Sequence, residues 1–323
     1  MIVAIVKQNM GHTAKNSPPP AMLTVCGPTG SGKSALALDL AERLGGEIVN
    51  CDSLQLYRGF DIGAAKTPPA ERRNVPHHLF DVLTPQTGYS AGEYARQARA
   101  VIAQIAVRGR LPVIVGGTGF YLRALLAGLP TLPGRDAGLR VRLLGKENAR
   151  PGRLHRLLTR LEPAAAARIH PRDVQKLTRA LEVRLLTGRS LPPPAQAQPL
   201  EGHCNVKIGL NPNRAFLHQK LDARAAAMFR GGLLEEVRTL LARGATGAEK
   251  PFESLGYKQA LRHLRGDLSL EQAIASTQLE TRQYAKRQWT WFRRDSEIFW
   301  IAGLGESPET VAEARAHVAE ILA

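Results

Sequence analysis

Three cysteines in 323 residues, Cys26, Cys51 and Cys204, include no CxxC pair. That shortage excludes a disulfide scaffold and a zinc ribbon, and it fits buried or free thiols in a reducing cytosol. Long apolar runs are missing as well: no stretch approaches the length of a membrane span. The opening MIVAIVKQNMGHTAKNSPPP has an apolar run too short for a secretory signal and then turns polar and Pro-rich, so residues 1–20 read as a disordered tail. Acidic residues are the last shortage. Against 44 Lys+Arg there are 28 Asp+Glu, for a formal net charge of +16. The excess is uneven, because residues 121–200 hold fifteen Lys and Arg against five Asp and Glu. A solvated Arg-rich surface is one explanation. Beside a phosphate-binding motif, the concentration points instead to nucleic acid.

That motif is GPTGSGKS, residues 27–34, directly after the apolar run MLTVC. It fits G-x-x-x-x-G-K-[ST], with Gly27, Gly32, Lys33 and Ser34 at the fixed positions. The glycines let several backbone N–H groups aim at one anion, and the helix opening at Lys33 adds its positive end. Gly27, Pro28, Thr29, Gly30, Ser31, Gly32, Lys33 and Ser34 are therefore the expected diphosphate- or nucleotide-binding loop. Lys33 supplies the mobile cation and the Ser34 hydroxyl a ligand for Mg²⁺. SALALDLAERL continues as an amphipathic helix that Gly45 and Gly46 stop.

Further along, GEIVNCD reads as a buried strand ending at Asp52, and HHLFDVL (77–83) as another strand. Ser90 and Glu93 have the spacing of a capping box, opening a helix that runs to about Arg108. LPVIV follows as an apolar strand that breaks at Gly116 and Gly117. Strands alternating with helices predict an α/β fold with a parallel, P-loop NTPase-like sheet. Ligands of such sheets gather at the carboxyl ends of the strands. The P-loop, Asp52 and residues 116–118 all fall at such ends, so one cleft is expected. From about Leu129 the pattern becomes helical and Arg-laden, closing with LPPPAQAQP, before NVKIGLN (205–211) reads as a further strand and helices resume. The expected division is 1–20 tail, 21–128 first part of the core, 129–204 helical basic insertion, and 205–323 second part of the core with C-terminal helices.

Asp52, across the cleft from the P-loop, suits an acid/base or Mg²⁺ role, with a turn or helix-capping aspartate as the alternative. Thr118 suits a donor to a phosphate oxygen, or a turn threonine. Arg140 and Arg224 could bind a diphosphate in bidentate fashion or simply face solvent. His77 and His78 lack further ligands nearby and read as packed or capping residues. Residues 286–294, KRQWTWFRR, mix cations with aromatics. That suits stacking on nucleic acid, or an amphipathic helix that buries Trp289 and Phe292.

Taken together, GPTGSGKS, DSLQLYRGFDIGAAK, VPHHL, GGTGFY, ARIHPRDVQKLTRALEV, GLLEEV, LGYKQ and AKRQWTWFR, in this order from residue 22 onward, resemble the tRNA dimethylallyltransferases. The resemblance implies transfer of a dimethylallyl group from dimethylallyl diphosphate to N6 of the adenosine at position 37, immediately 3′ of the anticodon. The tRNAs concerned read codons that begin with U. The P-loop would then cradle a diphosphate leaving group, with Mg²⁺ on Ser34. Asp52, Lys33, Arg224 and Thr118 would form the catalytic set, Asp52 orienting the amine and accepting its proton. The resemblance assigns tRNA contacts to Asp52, Ser53, Leu54 and Gln55, and to Gln175, Lys176, Leu177, Thr178 and Arg179. A third group is Lys286, Arg287, Gln288, Trp289, Thr290, Trp291, Phe292 and Arg293, with Thr118 and Arg140 as further contacts.

The insertion would clamp the anticodon stem-loop while the target base is flipped out. The implied partners are tRNA and dimethylallyl diphosphate, for a cytoplasmic monomer without a membrane. Ser34 stands where many members of that family have Thr. The competing reading is a P-loop small-molecule kinase using ATP, which has little need of so basic an insertion. A non-enzymatic RNA-binding module is a third, disfavoured by a complete reaction site.

Overall fold

The computed structural model describes residues 20–130, 132–190 and 198–322. The tail expected over 1–20, apart from Pro20, and most of the proline-rich LPPPAQAQP lie outside the described residues.

Six strands, β1 (Ala21–Cys26), β2 (Gly46–Asn50), β3 (His77–His78), β4 (Leu111–Val115), β5 (Cys204–Leu210) and β6 (Phe299–Ile301), form one sheet among the described residues. The strand order is β3-β2-β4-β1-β5-β6 and every pairing is parallel. The first helices are α1 (Lys33–Leu44), α2 (Ala91–Val107) and α3 (Gly119–Leu126). Between β4 and β5 also lie α4 (Ala137–Ala149), α5 (Arg153–Leu161), α6 (Pro163–Ala166) and α7 (Val174–Thr187). After β5 come α8 (Arg214–Met228), α9 (Leu234–Ala242), α10 (Tyr257–Leu264) and α11 (Leu270–Phe292), with α12 (Pro308–Leu322) last.

The continuous apolar runs of β1 and β4 are what a parallel sheet needs, because helices cover both of its faces. Successive side chains alternate between those faces. Leu23 and Val25 join Leu36, Leu40, Val113 and Ile208 in one core, closed by α1 and by Ala314 and Val318 of α12. Met22 and Cys26 join the opposite core with Tyr94, Ile102, Leu125, Tyr257 and Phe292. Each fully buried aliphatic side chain contributes about 1.5–3 kcal/mol.

The expected helix boundaries hold at two signals. Gly45 caps α1 at φ 64°, and Ser90 with Glu93 forms the reciprocal capping box of α2. The expected strand over 77–83 shrinks to His77–His78, because Leu79 and Asp81 take φ values of 62° and 55° that no ladder tolerates. His78 Nε2 lies 2.7 Å from Glu47, which also accepts from Arg108 at 2.6 Å, so the histidine pair serves the sheet edge. The stretch after 214 is not helical throughout. It breaks at Gly231 and Gly232, and a short edge strand, β6, interrupts it near the end.

The chain divides into two compact units. One holds the described residues up to Leu126 and from Leu200 onward; the other holds those from Ala127 to Pro199. In the first, the Leu200 N–H donates to Leu126 O at 2.8 Å, so the chain leaves and re-enters this unit at one point. The second unit consists of α4–α7 around Leu143, Leu154, Leu158, Leu177 and Leu181. At its centre the fully buried Glu182 carboxylate accepts from Arg179 (2.6 Å), Arg140 (3.2 Å) and the Asp136 N–H (2.9 Å).

Candidate active site

The loop between β1 and α1 turns because Gly27, Gly30 and Gly32 take φ values of 136°, 77° and 85°. Those left-handed values exclude other side chains and leave the crest of the loop as bare backbone. Gly116, after β4, meets a different demand. A Cβ there would lie 2.1 Å from Cys51 O, so only glycine lets β4 pass the loop that carries Asp52. Asn50, fully buried, clamps that loop: its side chain accepts from the Asp52 N–H at 2.8 Å and donates to the Asp52 carbonyl at 3.0 Å. The Asp52 carboxylate accepts from the Leu54 N–H at 2.9 Å. The turn role weighed from sequence is therefore real, and the same side chain also faces the cleft.

A cavity of about 230 Å³ opens over the P-loop, lined by Thr29, Gly30, Lys33, Ser34, Asp52 and Arg224 among others. Burial pulls the Lys33 ammonium down to about 8; Asp52 opposes the shift and Arg224 adds to it. Lys33 Nζ donates to Pro28 O at 2.6 Å. Arg224 donates to Thr29 Oγ1 at 2.8 Å, and burial lowers its pKa as well. Two cations and one carboxylate thus share a poorly hydrated space in which their interactions exceed those in water. Cys26 and Cys51 are pushed up to about 12 by burial, so both thiols stay protonated and inert.

A second cavity of about 380 Å³ shares Thr29, Asp52, Ala64 and Arg224 with the first. Its other walls come from α8 (Leu221, Ala225, Met228) and α11 (Thr281, Tyr284, Arg287). Asp52 and Arg224 stand where the two spaces meet.

The wall at residues 61–65 has its own support. Glu236 accepts from the backbone N–H groups of Asp61 (3.1 Å) and Ile62 (2.8 Å). The Tyr257 hydroxyl donates to Glu236 and accepts from the Gly63 N–H at 3.1 Å. Three separated stretches, DIGAAK, GLLEEV and LGYKQ, therefore build one wall. Tyr257→Phe keeps the ring but strands these partners, and is expected to lower stability by about 1–2 kcal/mol, read from the urea midpoint.

The residues singled out from sequence do not all reach this cleft. Thr118 lines neither cavity; its hydroxyl accepts from the Ser53 N–H at 3.1 Å and holds the Asp52 loop. Ser53, Leu54 and Gln55 line one cavity or the other. Arg140 and residues 175–179 belong to the second unit. There the side chains of Leu177 and Thr178 are buried in its core, and Arg140 and Arg179 hold Glu182, leaving Gln175 and Lys176 more open. Within 286–293 the helical period sorts the side chains: Gln288, Trp289 and Phe292 are buried, while Lys286, Arg287, Thr290 and Arg293 are exposed. Surface contact with RNA is thus corrected for the side chains of Leu177, Thr178, Gln288, Trp289 and Phe292, which packing removes from solvent. Lys220, one helical turn before Arg224, lines the first cavity and pairs with Glu306. Its i, i+4 spacing from Arg224 was the available signal.

The chain matches the family model described as IPP transferase over residues 55–295. It is 55% identical to a tRNA dimethylallyltransferase of Solibacter usitatus, covering 93% of this chain and 99% of that one. A second relative of the same name, from Koribacter versatilis, is 51% identical over 91% of this chain and 97% of its own. Among solved structures, a tRNA isopentenylpyrophosphate transferase from Bacillus halodurans superposes with a TM-score of 0.70 at 35% identity, covering 94% of this chain and 96% of that one. A eukaryotic dimethylallyltransferase acting on tRNA superposes at 0.75 with 26% identity, over 92% and 77% of the two chains.

Proposed function

This chain belongs to the IPP transferase family, and from that premise we propose that it transfers a dimethylallyl group from dimethylallyl diphosphate to tRNA. The acceptor is N6 of the adenosine immediately 3′ of the anticodon, position 37, in tRNAs reading codons that begin with U. The observation that carries this reading is the junction at Asp52 and Arg224, between a phosphate-sized cradle and a wider, partly apolar space.

Diphosphate in the cradle sets its bridging oxygen toward the junction, with the allylic carbon in the second cavity. The adenine N6 lone pair attacks that carbon, the carbon–oxygen bond breaks, and the diphosphate leaves with the electron pair. Asp52 orients the amine and takes its proton. Lys33, Arg224 and the backbone N–H groups of the P-loop meet the charge that grows on the leaving oxygens. Ser34 is the oxygen donor that would hold Mg²⁺. Among the described residues no three His, Cys, Asp or Glu gather into a metal cage. This sparse donor set fits an ion that draws its other ligands from diphosphate and water. Mg²⁺ bound there would supply further neutralisation of the leaving group.

The exposed cations Lys286 and Arg287 of α11, Arg293 just past its end, and the basic second unit supply phosphate contacts for an anticodon stem-loop. The reading carries with it a monomer working in the cytoplasm. No helix among the described residues is long and apolar enough to cross a membrane. A kinase using ATP is not favoured, since the relatives bear the name of a tRNA-directed transferase.

The test combines the purified chain, Mg²⁺, labelled dimethylallyl diphosphate and an anticodon stem-loop carrying three consecutive adenosines, with ATP in a parallel tube. Label on the RNA without ATP is expected. Label only on a small acceptor, dependent on ATP, would overturn the proposal.

A further inference from the structure

The Gln288 side chain is 5% exposed and reaches two loops at once. Its Oε1 accepts from the Thr29 N–H at 2.7 Å, and its Nε2 donates to the Gly117 carbonyl at 2.8 Å. A Cβ on residue 117 would lie 2.2 Å from that nitrogen, so the glycine is what admits the amide. Thr29 is gripped from its other end by Arg224. Next to Gln288, Trp289 packs with Leu217, Leu221 and Ala285, locking α11 against α8. Leu221 in turn sits under Gly30, 2.6 Å from where a Cβ would stand. The crest of the P-loop thus rests on two helices far along the chain, through Arg224 at a separation of 195 residues and Gln288 at 259.

We infer that Gln288 is a positioning residue for the diphosphate, fixing the P-loop crest against the loop that follows β4. It deepens the reading above and rests on it. The Thr29 N–H is spent on protein and not on the anion, so the amide decides which way the neighbouring N–H groups face. Only a group that accepts on one side and donates on the other satisfies both loops. A carboxylate would keep the Thr29 contact but turn an oxygen toward the Gly117 carbonyl. Leucine would leave both backbone groups unpaired. The same helix carries exposed Lys286 and Arg287 on other faces, so one element serves both substrates through different side chains.

The test uses the full chain as Gln288→Leu, Gln288→Glu and Gly117→Ala, the last displacing the amide without changing it. Calorimetry measures binding of inorganic diphosphate, a filter assay measures affinity for the stem-loop RNA, and steady-state kinetics give KM and kcat. Diphosphate affinity is expected to fall about tenfold or more in each variant that retains the wild-type circular dichroism. KM for dimethylallyl diphosphate should rise in parallel, with RNA affinity within about twofold of wild type. Unchanged diphosphate affinity in folded variants would overturn the inference. So would a tenfold loss of RNA affinity alone, which would return Gln288 to the RNA surface. A wild-type chain that binds diphosphate through Gln288 yet labels no RNA would sink the transfer reading and leave this one standing.

Discussion

Asp52→Ala is expected to lower turnover by roughly 10²–10⁴ while RNA affinity stays near wild type. The loop backbone should survive the change, because Asn50 holds both the N–H and the carbonyl of residue 52 independently of its side chain. What goes is the acceptor for the Leu54 N–H, at about 1 kcal/mol, and the only carboxylate near Lys33 and Arg224 that faces both described cavities. Removing a negative charge from between two cations leaves the KM for dimethylallyl diphosphate unchanged or lower. Asp52→Asn sharpens the test, since it retains an acceptor for Leu54 but cannot take a proton. Single-turnover transfer to the stem-loop should be slow in both variants. Wild-type rates in either one would remove Asp52 from the chemistry.

Lys33→Ala should raise the KM for dimethylallyl diphosphate by on the order of 10–10²-fold, with stem-loop affinity little changed. Equal loss of both would mean that the loop is mainly structural. The pH dependence gives an independent check. Burial brings the Lys33 ammonium from its ordinary range down to about 8, so the free protein holds the charge below that pH and loses it above. Because kcat/KM reports groups of the free protein, it should fall as pH rises through about 8. A bound diphosphate favours the ammonium, so kcat should hold to higher pH than kcat/KM. The alkaline limb of kcat/KM should vanish in Lys33→Ala.

Much of this site is written locally in the chain. The P-loop is legible because its glycines and lysine hold fixed places within eight consecutive residues. Asp52 and the break after β4 are legible because each ends an apolar run. Other parts depend on distant partners. Nothing near Leu79 or Asp81 announces their left-handed backbone, since neither is a glycine, and so the strand there looked longer than it is. β6 has three residues and too little sequence to show a period. Gln288 read as part of a basic, aromatic RNA-facing run; only the approach of Thr29 and Gly117 reveals where its amide goes. Helical phase could have warned of this, as Gln288 and Phe292 are four residues apart on the buried side.

The sheet also sets an order of events during synthesis. β1 pairs along its length with β5, Ala21 opposite Cys204, and β5 needs β6 beyond it. The first unit therefore stays an unfinished sheet with an open edge until the ribosome has passed Ile301. The helices between Ala127 and Pro199 have all their core partners close in sequence, and local contacts form fastest. The inserted unit is thus complete on the nascent chain while the strand preceding the P-loop still awaits its neighbour. The unpaired edge of β1, a strand apolar apart from Thr24, is the segment a chaperone would have to shield in that interval.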